Sequence, residues 1–224
     1  MKLYTKEGLV KYTSNDLIKK ILTDFENQED CLYTTHDWLK NDIVKRYIFS
    51  NIYDEIINSS GIKILDIGGG YSSVTKKFIE NHDYTLLDIM SHDSHISFDR
   101  FSKKIKLNWI NYDWFEYKIN DHYDIIIVND LFPNVDQRLD LFINKFRPHC
   151  DKLVLSLTYY NNERFYKVKR TDADEILFLK ALNGEELFNI LIKYSPDINL
   201  SLFKQESNES LFRNGRSVIK YDLK

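Results

Sequence analysis

Cysteine, proline and glycine are scarce, with two, three and seven residues respectively in a chain of 224. Two cysteines, Cys31 and Cys150, cannot build a disulfide framework or complete a zinc site by themselves. The opening segment MKLYTKEGLVKYTSNDLIKK is too charged for the apolar core of a secretory signal. Read together, these features lead us to expect a reducing, cytoplasmic location. No apolar run approaches the length of about eighteen residues that a membrane-spanning helix needs. Nor does one sign of charge dominate: 31 basic residues face 34 acidic ones, a net charge of −3. Such a balance lacks the footprint of a protein that wraps nucleic acid. There is no internal repeat and no low-complexity linker. What is present is 43% hydrophobic and 14% aromatic residues, enough to bury a core and to exclude disorder. The length suits one domain with an extension.

The periodicity changes once along the chain. Residues 14–27 show a helical stripe of Leu17, Ile18, Ile21, Leu22 and Phe25, with Ser14 as the expected N-cap. Residues 37–58 predict a longer helix, since Val44, Ile48, Ile52 and Ile56 recur every fourth position. Beyond them, short apolar runs predict strands at 62–67, 84–89, 105–112, 123–129 and 153–158. Helical stretches fall between these near 73–82, 94–102 and 136–147, and another spans 185–194. Unbroken runs such as IIIV are what a parallel strand covered on both faces requires. Two last strands are expected at 198–204 and 216–223, too close for a helical crossover and so paired antiparallel. The expected fold is α/β: a doubly wound, mostly parallel seven-stranded sheet with a final antiparallel strand and an N-terminal helical cap. Residues 1–59 are assigned to the cap and 60–224 to the ligand-binding domain.

The sharpest local signal is Ile64-Leu65-Asp66-Ile67-Gly68-Gly69-Gly70 followed by Tyr71-Ser72-Ser73. Glycines at a strand's carboxyl end allow a sharp turn and let a ligand lie on bare backbone, with the next helix aiming N–H groups at it. The dinucleotide fingerprint fails at Ser73, and no Walker lysine is present. Instead Asp66 precedes the glycines, where a carboxylate suits a ligand carrying an ammonium group. Asp88 ends the next strand, where a ribose diol would lie, and Asp113 follows the third beside Trp114. Three acids at successive strand ends lie on the edge where such sheets bind ligands.

These segments resemble class I S-adenosylmethionine-dependent methyltransferases. ILDIGGG is similar to that family's first motif, LLDI to its ribose-binding acid, NYDW to its adenine-binding segment and YDIIIVND to its fourth-strand motif. The resemblance covers about residues 60–223 and departs at Ser72, where many members carry a third glycine. It implies S-adenosylmethionine as cofactor, held by Asp66, Gly68, Gly69 and Gly70 at the methionine end. Asp88 would hold the ribose, Asp113 and Trp114 the adenine, and Asn129 would complete the site. The resemblance leaves the acceptor open.

The acceptor should lie past the fourth and fifth strands. There Asp130 can position or deprotonate it, and His36 can reach down from the cap as a second base. Trp38, near His36, is a second residue expected to reach the site from the cap. Asn129-Asp130-Leu131-Phe132-Pro133 lacks the paired proline of DNA amino-methyltransferases. Asp130, Asn161 and Asn162 offer too little charge for magnesium, and His92-Asp93-Ser94-His95 reads as an exposed helix start, so no metal is expected. Arg164, Lys167, Lys169 and Arg170 form a basic segment suited to an anionic acceptor group. The leading expectation is O- or N-methylation of a small polar acceptor, with a sugar of a surface-polysaccharide precursor preferred. An aminopropyltransferase and a non-catalytic cofactor-binding subunit are the alternatives. Partners are a small acceptor and at most a second copy of the chain; no nucleic acid and no membrane are expected.

Overall fold

A computed structural model describes residues 1–133, 135–162, 164–170, 175–203 and 210–224. Its elements in chain order begin with β1 (Lys2–Leu3), α1 (Lys6–Thr13), α2 (Leu17–Phe25), α3 (Thr34–Asn41), α4 (Ile43–Ile52) and α5 (Asp54–Ile57). Next come β2 (Lys63–Ile67), α6 (Ser73–Asn81), β3 (Asp83–Leu87), α7 (His95–Lys104) and β4 (Asn108–Ile110). The chain continues with β5 (Tyr123–Phe132), α8 (Leu139–Phe146), β6 (Cys150–Tyr160), β7 (Arg164–Arg170) and β8 (Glu175–Ala181). It closes with α9 (Gly184–Leu191) and β9 (Arg216–Leu223).

The seven-stranded sheet has the order β1-β9-β6-β5-β2-β3-β4, and β9 runs against both its neighbours. The remaining pairs, β6 with β5, β5 with β2, β2 with β3 and β3 with β4, are parallel. Strand order therefore reverses between β2 and β5, which opens a crevice past their carboxyl ends. The doubly wound α/β expectation holds, and alternation along the strands explains its two cores. Ile64, Ile125, Ile127, Val154 and Val218 face a core shared with α2, α4, α6 and α7. Leu65, Ile126, Val128, Leu155 and Ile219 face the other, beneath α8 and α9.

Several boundaries differ from expectation. The helix expected over 14–27 is α2 alone, capped by Asp16, whose carboxylate accepts from the Lys19 N–H; Ser14 instead closes α1. A second capping carboxylate, Asp42, breaks the helix expected over 37–58 by accepting from the Val44 and Lys45 N–H groups. Side-chain acceptors at these positions compete with the continuing helix. The expected strand at 198–204 is a 3-10 turn over Leu200–Phe203, and Lys204 lies outside the described residues. Its place beside β9 is taken by β6 on one side and β1 on the other. The strand expected at 105–112 shrinks to β4. β7 and β8 pair antiparallel in a two-stranded sheet separate from the main one.

The N-terminal segment is built into both layers. β1 supplies a sheet edge, and Tyr4, Ile18, Ile52 and Ile56 are buried in the same core as Ile64 and Phe78.

Candidate active site

The glycine corner follows β2 and fills the crevice. Gly68 and Gly70 take φ of 69° and 63°, the left-handed region that favours glycine. At Gly69 a Cβ would lie 2.5–2.6 Å from the carboxyl atoms of Asp66, so any side chain there would displace the acid directly beneath the loop. A Cβ on Gly70 would collide with Thr35 of α3, so the cap touches the loop itself.

Asp66 faces the helical layer, as alternation from Ile64 requires. The expectation that it meets a ligand's ammonium group is corrected: it is buried, and both oxygens are engaged. Tyr84 Oη donates to Oδ2 at 2.6 Å, and Tyr53 Oη donates at 2.9 and 3.1 Å. Burial pushes its carboxyl up to about 7, against the pull of the two tyrosine hydrogen bonds. Asp66 thus supports the loop from below.

Asp88, at the end of β3, ties that loop to the next strand. Its Oδ2 accepts from the Gly70 N–H at 2.8 Å and its Oδ1 from the Met90 N–H at 2.7 Å. Burial raises its carboxyl, while these two N–H groups hold it down. Each oxygen keeps a lone pair for a further donor. Asp113 stays at the sheet edge, where it accepts from the Phe115 N–H at 2.7 Å. Trp114, expected beside an adenine, is corrected. Its ring packs on Phe132 and Phe142 in the core under α8, and its Nε1 donates to Asp136 at 2.9 Å. A large apolar ring next to that core gains more from burial than from a half-exposed site.

His36 is also corrected. It is fully buried, with Nδ1 accepting from the Ser73 N–H at 3.2 Å and Nε2 lying 3.2 Å from Glu26. It therefore caps α6 from a neighbouring helix and holds α3 in place. Its Nε2 is grouped with a carboxylate oxygen of Glu26 and Cys31 Sγ within 4.8 Å of one another, and the Lys40 ammonium already sits 2.6 Å from Glu26. Ser72 forms a capping box with Thr75. Asp93 caps α3 through the Thr34 N–H at 3.0 Å, and Ser94 caps α7, so the His92–His95 segment has structural work.

A pocket with a cavity volume of about 90 Å³, open to solvent on one side, lies beyond the corner. Gly68, Gly69, Asn129 and Asp130 form its floor at the β2–β5 crevice. Thr35, Trp38 and Leu39 of α3, with Lys45, Ile48 and Phe49 of α4, form its roof. Ser156, Phe212, Arg216 and Val218 close its far side. Asn129, Ser156, Val218 and Arg216 continue the sheet face that carries Ile127 and Val154, turning polar only at the carboxyl edge. Asp130 has φ of 60°, and its Oδ1 lies 3.4 Å from Arg216 Nη1. The Asn129 Oδ1 is buried without a hydrogen-bond partner among the described residues.

The pocket gathers Gly68, Gly69, Asn129, Asp130 and Trp38, while Asp66, Gly70, Asp88, Asp113, Trp114 and His36 are not among its lining residues. Lys45, Ser156 and Arg216 were missed by sequence reasoning. The alternation of β6 and β9 carried a signal for the last two, because it puts them on the inward face. The basic segment lies on β7, where Arg164 stacks on Tyr160 with its guanidinium 4.5 Å from the ring centre. The side chains of Lys169 and Arg170 lie outside the described residues. No helix among the described residues is long and apolar enough to cross a membrane.

No protein-family model matches the chain, and no curated protein matches it. Among solved structures it is similar to the 1,6-didemethyltoxoflavin-N1-methyltransferase of Burkholderia thailandensis, at 11% identity over 82% of this chain and 77% of that one, TM-score 0.49. It is similar to the N-methyltransferase NodS of Bradyrhizobium japonicum in complex with S-adenosylhomocysteine, at 12% identity over 75% and 98%, TM-score 0.45. The glycopeptide N-methyltransferase MtfA is 12% identical over 65% and 77%, TM-score 0.44. At these levels the chemistry has to be read from this chain's own residues.

Proposed function

We propose that this protein transfers a methyl group from S-adenosylmethionine to a small polar acceptor. The observation that carries the reading is the glycine corner at the β2–β5 crevice, locked to Asp88 through Gly70 and opening directly into the pocket. One feature of the site favours the cofactor: the Asn129 Oδ1, buried without a hydrogen-bond partner among the described residues, lines the same pocket as Gly68 and Gly69 and suits a donor from outside. Gly68–Gly70 would hold the methionine end, Asp88 the ribose hydroxyls and Asp113 the adenine amino group. When bound, the cofactor supplies an electrophilic methyl carbon on a sulfonium. The chain's own task is alignment and exclusion of water. Trp38, Leu39 and Phe49 wall off solvent, and Asp130 holds or accepts the acceptor's proton in this reading. Residues 1–59 act as a cap over the site, with α3 as its inner surface.

The aminopropyltransferase alternative shares the corner, but a polycationic amine would meet Lys45 and Arg216 in the pocket. Calorimetry with S-adenosylhomocysteine tests the proposal. Micromolar binding is expected, about −8 kcal/mol. Binding of a nicotinamide dinucleotide in its place would overturn it.

A further inference from the structure

Charge in the pocket is out of balance. Lys45 and Arg216 bring two cations, and Asp130 is the single carboxylate among the described lining residues. Arg216 Nη1 meets Asp130 only at 3.4 Å, while its buried Nε has no hydrogen-bond partner among the described residues. Ser156, 1% exposed, points an equally unpartnered hydroxyl at the same pocket. A buried donor without an acceptor is costly, so a guanidinium N–H and a hydroxyl left together call for an acceptor-rich group from outside. Lys45 Nζ rests 3.7 Å from the centre of the Trp38 ring, and burial lowers its pKa while Asp130 opposes that shift. A sulfonium cofactor would add a further positive charge to the same space.

Much of the remaining wall is apolar, with Leu39, Ile48, Phe49, Phe212 and Val218 beside the polar Thr35 and Asn129. The apolar side chains fit a flat or branched hydrocarbon body. We propose that the acceptor is a small organic acid, an apolar body carrying one carboxylate, seated with that carboxylate between Lys45 and Arg216 and within reach of Ser156. The term acceptor rests on the methyl-transfer reading above; the acid-binding site itself does not. In this arrangement the carboxylate neutralises the surplus cation, which frees Asp130 to serve the nucleophile at the other end of the molecule.

Calorimetry on the intact chain, with and without S-adenosylhomocysteine, tests this with matched pairs. These are 4-hydroxybenzoate against 4-hydroxybenzamide, indole-3-acetate against indole-3-acetamide, and 3-phenylpropionate against its amide. At least one acid should bind about 10-fold or more tightly than its amide, as expected when a charge pair is completed in a desolvated site. Arg216→Gln and Lys45→Gln should each abolish that preference while S-adenosylhomocysteine affinity stays within about twofold. If no acid is preferred over its amide, the proposal fails. It fails also if Arg216→Gln weakens S-adenosylhomocysteine about 10-fold and leaves the acid preference intact, because the cations would then hold the cofactor's own carboxylate. Absence of any S-adenosylhomocysteine binding would sink the methyl-transfer reading alone, since the arm without it still judges the acid site.

Discussion

Two aspartates near the ends of adjacent strands, Asp66 inside β2 and Asp88 just past β3, do different physical work. Asp88 accepts from two backbone N–H groups and keeps lone pairs for a ligand, so its removal should be felt in binding. Asp88→Ala is expected to weaken S-adenosylhomocysteine binding by about 1.5–3 kcal/mol, the loss of charge-assisted hydrogen bonds. An unchanged dissociation constant in a folded variant would assign Asp88 to structure alone. Asp66 is buried with two tyrosines, and its folded pKa of about 7 lies above the unfolded value of about 4. The folded state therefore holds the proton more tightly, and this group's contribution is complete below about pH 4 and lost as pH rises to about 7. Melting temperatures of the wild type and Asp66→Asn, taken across that window, should converge or cross as pH rises. A difference independent of pH would show that Asp66 is ionised throughout.

Among the elements, α3 stands apart from the rest of the N-terminal layer. α2 and α4 bury Ile18, Ile21, Leu22, Ile48 and Ile52, but α3 buries only His36 and Leu39. Thin burial lowers the free energy of local opening. Yet α3 supplies Thr35, Trp38 and Leu39 to the pocket and presses Thr35 against Gly70. Amide exchange across Thr34–Asn41 is therefore expected to slow on adding S-adenosylhomocysteine, with little change in α2 and α4. Equal protection with and without ligand would make α3 a fixed wall rather than a cap. His36 enters here as a tie between α3 and α6, a role that catalytic residue type alone does not reveal.

At the scale of the whole molecule, the sheet is closed on one side by residues from the far end of the chain. β1 pairs with β9 through Lys2↔Lys220 and Leu3↔Ile219, and Tyr4 donates its N–H to Val218 O and buries its ring. Without it, β9 becomes a bare edge next to a hydrophobic core, a template for pairing with other chains. Deleting residues 1–4 should lower the melting temperature and shift gel filtration towards larger species. A deletion variant with wild-type melting and elution would show that β1 contributes nothing to the sheet's edge. Its length also matters, since a two-residue strand carries no hydrophobic period and escapes pattern reading.

The sequence by itself determined the frame on which the site is built. Short, mostly apolar runs at 62–67 and 123–129 matched strands covered on both faces, and three adjacent glycines after the first marked the corner. The acids at strand ends were legible for the same reason, because a carboxylate after an apolar run has to lie at an edge. Only tertiary structure decided what each acid and aromatic does there. Asp66 is enclosed because Tyr53 and Tyr84, far apart in sequence, converge on it. Trp114 turns into the core because Phe132 and Phe142 wait beneath α8, and His36 is consumed by a helix terminus 37 positions away. Lys45, Ser156 and Arg216 meet only when a helix, a parallel strand and an antiparallel strand are brought to one crevice. Local pattern follows from backbone geometry within a few residues, whereas a binding site depends on contacts between segments that share no local signal.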